Sequence, residues 1–216
     1  MNHTLWAEIF VLGVVLTNFR LLASSRLLVL INTMQIQAIS LSAIPIALAP
    51  SALPFRLVLL AMITLAVKGW ILPRLLKRAV QKTNIQREIE PFVRYEFSIL
   101  LGIILLGLCF YISHRFKTDA NLTSHFLLPS ALFSLMTGLL IIVSRRKALT
   151  QVIGYLTMEN GVYLFGAALA IEEPLLVEMG VLLDVFVAVF IMGITIYQIN
   201  SEFDHIDTDR LSELKD

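Results

Sequence analysis

The sequence predicts an all-α protein: a polytopic bundle of about seven transmembrane helices, with its N-terminus outside and its C-terminus in the cytoplasm. Three observations carry that expectation. Of the 216 residues, 57% are hydrophobic and only 15% are charged, against roughly 45–50% and about 25% in soluble domains, and the mean hydropathy is +0.81. Apolar runs of about 20 residues recur along the chain, the length that crosses a hydrocarbon core about 30 Å thick at 1.5 Å per residue. Lysines and arginines gather in alternate connections between those runs, as the retention of basic residues on the cytoplasmic side requires.

The runs cover residues 5–22, 27–49, 55–73, 97–112, 126–143, 149–171 and 175–199. The start MNHTLWAEIFVLG, which enters the first run, lacks the basic region and small-residue cleavage site of a secretory signal, so a retained helix is expected. Ser24-Ser25-Arg26 separates the first two runs, Pro50 and Pro54 the second and third, and Asn121 lies between the fourth, the shortest, and the fifth. Arg145-Arg146-Lys147 and Glu172-Glu173-Pro174 punctuate the remainder. Connection 74–96 carries both signs of charge with apolar residues at mixed spacing, and is expected to be an amphipathic cytoplasmic segment on the membrane surface. Residues 1–125 then form an N-terminal region of about four helices. Residues 126–216 form three helices and a cytoplasmic tail, and no soluble domain is expected.

Thirteen basic residues fall on one side of this arrangement: Arg20, Arg26, Arg74, Lys77, Arg78, Lys82, Arg87, Arg94, Arg145, Arg146, Lys147, Arg210 and Lys215. Arg56, Arg115 and Lys117 fall on the other, and Lys68 lies inside a span. The larger set is placed in the cytoplasm. Lysine plus arginine total 17 against 16 acidic residues, for a net charge of +1, and no basic block interleaved with aromatics suggests nucleic acid as a partner. Membrane lipid is the expected surrounding. The single cysteine, Cys109, sits in an apolar run and reads as a packing residue. Without a cysteine set or a nickel-ligand pattern, no cofactor or metal is expected, and the chain is not itself a redox catalyst.

Charged side chains at the centre of a span cost roughly 2.5–3.5 kcal/mol on insertion scales, so they face protein or water and mark ion paths. Glu159 lies ten residues, about 15 Å, into its run, and Asp184 nine residues, about 14 Å, into the next, which places both near the midplane. Tyr155 and Tyr163 flank Glu159 at i−4 and i+4, and Asn160 adjoins it, giving the helix a hydrogen-bonding face able to support a proton-exchanging carboxyl. A purely structural role, helices held together by a protonated carboxyl, is the alternative. Asp184 must find its partner on another helix. Glu178 sits near the outer end of its span and reads equally as a path residue or a solvated end. Lys68 lies six residues, about 9 Å, from Arg74 and can snorkel to the interface. Against that, VKGWILPR supplies Gly69 beside it and Pro73 five residues on, which permit a locally opened backbone. A lysine so placed suits proton transfer.

The stretch SRRKALTQVIGYLTMENG resembles the core of subunit K of respiratory complex I and of its relatives in multisubunit cation/proton antiporters, where paired arginines precede a helix with an Ile-Gly step and a carboxylate. Here Arg145 and Arg146 are the pair. The resemblance continues through LLDVFVAVFIMGITIYQ, where Asp184 matches a second buried carboxylate, and covers about residues 132–216. In that family the carboxylate follows the Ile-Gly step by two residues, a position held here by Leu156; Glu159 comes three residues later, about 4.5 Å deeper on roughly the same face.

The Met-Glu-Asn-Gly form of the motif, VEMGVLLD before the last run and the LAVKGWILP segment resemble the hydrogenase-4 component E family, membrane subunits of group 4 energy-converting hydrogenases of the formate hydrogenlyase type. This likeness implies a non-redox subunit in a bacterial or archaeal cytoplasmic membrane. Its implied partners are larger antiporter-like membrane subunits and a peripheral redox arm of the NiFe hydrogenase type, and its implied contribution is Glu159, Asp184, Lys68 and Glu178 to a proton or cation path. A cation/proton antiporter subunit and a non-conducting scaffold are the alternatives. Aligning RLLVLINTMQIQAIS with RKALTQVIGYLTMENG sets Gln37 opposite Glu159, and the span that follows carries Lys68 where the later one carries Asp184, as parallel copies would.

Overall fold

The computed structural model describes residues 2–48, 55–83, 91–115, 126–168 and 186–193. Among them there are seven α-helices and no strand: α1 Asn2–Ala23, α2 Leu27–Leu48, α3 Phe55–Ala66, α4 Leu72–Thr83, α5 Tyr95–Ser113, α6 Leu127–Ser144 and α7 Ala148–Ala168, with a π-helical turn, Val67–Ile71, joining α3 to α4. A further helical stretch, 186–193, buries Val187 and Ile191. Four helical segments, Leu5–Ala23, Leu27–Ala47, Tyr95–Ser113 and Leu127–Ser144, are long and apolar enough to cross a membrane. Helix α7 has 21 residues but interrupts its apolar content with Gln151, Thr157, Glu159 and Asn160.

Three-residue connections fold α1 onto α2 and α6 onto α7, as short loops do for neighbouring helices. Helix α1 packs on α6 and α2 on α7, while α5 flanks α1 and α6, and the π turn and α4 flank α2. The α6–α7 pair is in backbone contact. A methyl group built on Gly138 would strike Met158 N and, at 2.5 Å, Gly154 O; one on Gly161 would come within 2.5 Å of Leu135 N and 2.9 Å of Ala131 O. Small residues permit this approach, which replaces the hydrophobic driving force that helices lack in lipid.

Connection 74–96 departs from the sequence expectation in its first third. The third helix does not stop at Pro73. It passes through the π turn and runs on to Thr83, with Leu72, Leu76, Ala79 and Val80 buried on one face and packed in a core with residues of α1, α2, α6 and α7. Arg74 and Arg78 are exposed on the other face. The segment is amphipathic, and its apolar side is occupied by the protein's own helices.

Two apolar cores fill the four central helices. One gathers Leu21, Leu22, Leu27, Ile31, Leu149, Ile153 and Leu156 with α4. The other gathers Val11, Val14, Leu41, Ile44, Leu127, Ala131 and Leu164. Between the two cores every central helix carries a buried polar side chain: Asn18 on α1, Gln37 on α2, Ser134 on α6, and Glu159 with Asn160 on α7. All five are buried, at most 4% exposed. A polar layer therefore crosses the middle of the bundle.

Candidate functional site

Lys68 occupies the second position of the π turn and points into that layer. Its Nζ lies 2.7 Å from Glu159 Oε1 and donates to Asn160 Oδ1 at 3.2 Å. The side chains are 12% and 5% exposed for Lys68 and Glu159, so the lysine does not snorkel away from the protein. Breaking a buried ion pair by removing one partner costs about 3–5 kcal/mol, because the other charge is left uncompensated.

From the ammonium a one-way chain of hydrogen bonds runs through the layer. Asn160 Nδ2 donates to Gln37 Oε1 at 3.1 Å, Gln37 Nε2 to Asn18 Oδ1 at 2.9 Å, and Asn18 Nδ2 to Ser134 Oγ at 2.6 Å. The direction follows from chemistry. An ammonium has no acceptor, so Asn160 must turn its oxygen toward Lys68 and its NH₂ toward Gln37, and each amide downstream is oriented in turn. Bonds aligned head to tail strengthen one another in a low-dielectric interior. Primary amides do not titrate, so the chain fixes the position of Asn160 and Lys68. Glu159 Oε2 is buried and has no hydrogen-bond partner among the described residues.

The backbone at Lys68 is opened as VKGWILPR leads one to expect. Pro73 has no N–H for the carbonyl four residues back, that of Gly69, and the helix takes a π turn there, with Leu72 N bonded to Val67 O. Single π turns inside α-helices are rare and cluster at functional sites. Beside Lys68 and Asn160 lies a small pocket of about 10 Å³ walled by Met34, Leu72, Pro73, Leu76 and Leu156, the size of roughly one water molecule.

The remaining sequence-derived residues are distributed differently. Tyr163 hydrogen-bonds to Thr64 on α3 and packs on the second core, whereas Tyr155 packs on the first; the two tyrosines bracket the polar layer. Arg145, 1% exposed, ties the connections together. Its guanidinium donates to Val93 O at 3.1 Å and to Leu22 O at 3.0 Å, and lies 4.2 Å over the Tyr95 ring. A cation at the C-terminal end of α1 also complements the helix dipole. Exposed Arg146 stacks over Phe92 at 4.5 Å. Asp184 and Glu178 lie outside the described residues.

Asn18 and Ser134 were not anticipated. Each is an uncharged polar residue in a mainly apolar run, and the signal that would have found Ser134 is its position midway along that run, like Gln37. Gln35 was missed as well, although the carbonyl orphaned by Pro73 implies a donor nearby.

Comparison with known proteins adds a lineage. The chain is 28% identical over 217 residues to an uncharacterized protein of Mycobacterium tuberculosis, a match covering all of this chain and 98% of that one. It is a homologue of hydrogenase-4 component E of Escherichia coli K12, 35% identical over 116 residues, and of the Shigella flexneri protein at the same identity. The match spans about half of this chain and about half the length of each component E, 54% in both cases. No protein-family profile and no solved structure matches the chain.

Proposed function

We propose that this chain is an integral membrane subunit of a complex-I-like, energy-converting hydrogenase, and that Lys68 and Glu159 form a titratable station in its proton path. The observation that carries this reading is the 2.7 Å contact between Lys68 Nζ and Glu159 Oε1, set in a polar layer between two apolar cores. A lysine and a carboxylate at that separation can exchange a proton directly, and charges so buried are expensive to keep unless they serve function. The likeness to hydrogenase-4 component E supports placing the chain in a hydrogenase complex.

In this reading the chain crosses a bacterial or archaeal cytoplasmic membrane about seven times, with its N-terminus outside and its C-terminus in the cytoplasm. The basic α4 end is then cytoplasmic. Lys68 first passes a proton to Glu159 Oε1, leaving a neutral amine and a neutral carboxyl. The amine is reprotonated through the pocket between α2 and α4, and Glu159 releases its proton toward a further carboxylate, for which Asp184 and then Glu178 are the candidates. The amide chain holds Asn160 so that the lysine stays within reach of Glu159 when its charge changes. Larger antiporter-like membrane subunits continue the path, and a peripheral NiFe hydrogenase arm supplies the driving reaction.

The test uses sealed vesicles containing the assembled complex. Glu159→Gln and Lys68→Met should each abolish most proton movement per assembled complex, the readout that separates a path role from the stability lost with the ion pair. Unchanged coupling in both variants would contradict the proposal and favour a non-conducting scaffold.

A further inference from the structure

We infer that Gln35 is a positioning residue for this site, holding open the π turn that aims Lys68 at Glu159. The inference rests on the proton-path reading for its functional consequence, and on geometry for the rest. Pro73 cannot donate to the Gly69 carbonyl. Gln35, from the neighbouring helix α2, supplies the missing donor: its Nε2 reaches Gly69 O at 3.1 Å. The other end of the same amide is occupied as well, since Lys77 Nζ donates to Gln35 Oε1 at 2.9 Å. Lys77 stands one turn beyond Pro73, so the amide is clamped between the two sides of the opened segment, the π turn before the proline and the α-helix after it. The fixed cation dictates the orientation: an ammonium accepts nothing, so Gln35 must present oxygen to Lys77 and NH₂ to Gly69.

Gly69 directly follows Lys68. A π turn carries one residue more than the α-helical turn it replaces, and losing it rotates one side of the helix against the other by about 100°. A lysine seated 2.7 Å from its carboxylate would swing out of reach. Gln35 therefore acts on the lysine through the backbone of the residue that follows it.

Trp70 gives a direct readout. It lies inside the π turn, is 56% exposed, and has the Arg74 guanidinium 3.9 Å above its ring. The chain has two tryptophans, so Trp6→Phe leaves Trp70 as the sole reporter in the purified full chain reconstituted into vesicles of brominated phosphatidylcholine. Gln35→Leu, which keeps volume and deletes both bonds, should change the bromine quenching of Trp70. The pair Gln35→Lys with Lys77→Glu, which restores a donor to Gly69 and an ionic clamp, should return it. In the assembled complex Gln35→Leu should lower proton movement by about ten-fold, the scale of one buried hydrogen bond lost, and the paired variant should recover it. Unaltered Trp70 quenching in Gln35→Leu overturns the inference whatever Lys68 does. Altered quenching with full proton movement overturns the positioning role, provided Lys68→Met abolishes that movement. Full movement in Lys68→Met refutes the proton-path reading instead, and the quenching alone then decides whether Gln35 holds the turn.

Discussion

Asn160 and Gln37, 123 residues apart in sequence, are joined side chain to side chain at 3.1 Å in the middle of the bundle. Gln37 is the residue that internal comparison sets opposite Glu159, so the two matched positions meet within one residue of each other. Gln37→Leu keeps the volume and strands the Asn160 NH₂ and the Asn18 carbonyl, both buried. Unsatisfied buried polar groups cost about 1–3 kcal/mol each in soluble proteins, while hydrogen bonds between membrane helices average about 0.6 kcal/mol. A loss of about 2 kcal/mol is expected, which lowers the thermal midpoint of the purified chain by about 4–8 °C. An unchanged midpoint would show that the layer relaxes around the gap.

Glycine substitutions should separate sharply by place. Gly161→Ala puts a methyl 2.5 Å from Leu135 N, where backbone must move, whereas an added methyl at Gly107 meets nothing within 4 Å. Overpacking costs about 1–3 kcal/mol or more, so Gly161→Ala should reduce the amount of folded chain recovered from membranes. Gly107→Ala should match the parent.

Arg145→Lys retains charge and should still destabilise. The guanidinium reaches two carbonyls on different segments, Val93 and Leu22, and stacks on Tyr95; one ammonium on a flexible stem does not reproduce that planar fork. A loss of about 1–3 kcal/mol is expected from the stranded acceptor, read as a lowered thermal midpoint. Proton movement per assembled complex should be retained, which distinguishes this residue from Lys68.

The helices were legible in the sequence because apolar length is an additive signal: α1, α2, α5 and α6 start and end within a few residues of the runs read there. Lys68 and Glu159 were legible because charge in an apolar run is conspicuous, and Gly69 with Pro73 announced the broken backbone. The continuation through α4 was not, since Arg74, Lys77 and Arg78 mask an i, i+4, i+7, i+8 stripe of Leu72, Leu76, Ala79 and Val80 that only a packing partner makes decisive. Asn18 and Ser134 were hidden for a different reason. An uncharged polar residue costs little on any hydropathy scale, and only a partner from a distant part of the chain gives it meaning. The close approach of α6 and α7 was equally silent, because a glycine in an apolar run does not name what it faces.

The orientation proposed from basic-residue asymmetry predicts a cytoplasmic C-terminal tail. A C-terminal reporter enzyme that matures only outside the cytoplasm should be inactive, while one active only in the cytoplasm should function. The reverse pattern would invert the direction in which protons enter at the α4 pocket.

The central claim is that Lys68 and Glu159 exchange a proton as one unit, and it is tested most directly by proton movement in sealed vesicles carrying the assembled complex with Lys68→Met, Glu159→Gln and the two combined. Residues acting on one step are non-additive. Each single variant should therefore lose most of the movement, and the double variant should be no worse than either. Wild-type movement in the double variant, with assembly preserved, would contradict the account.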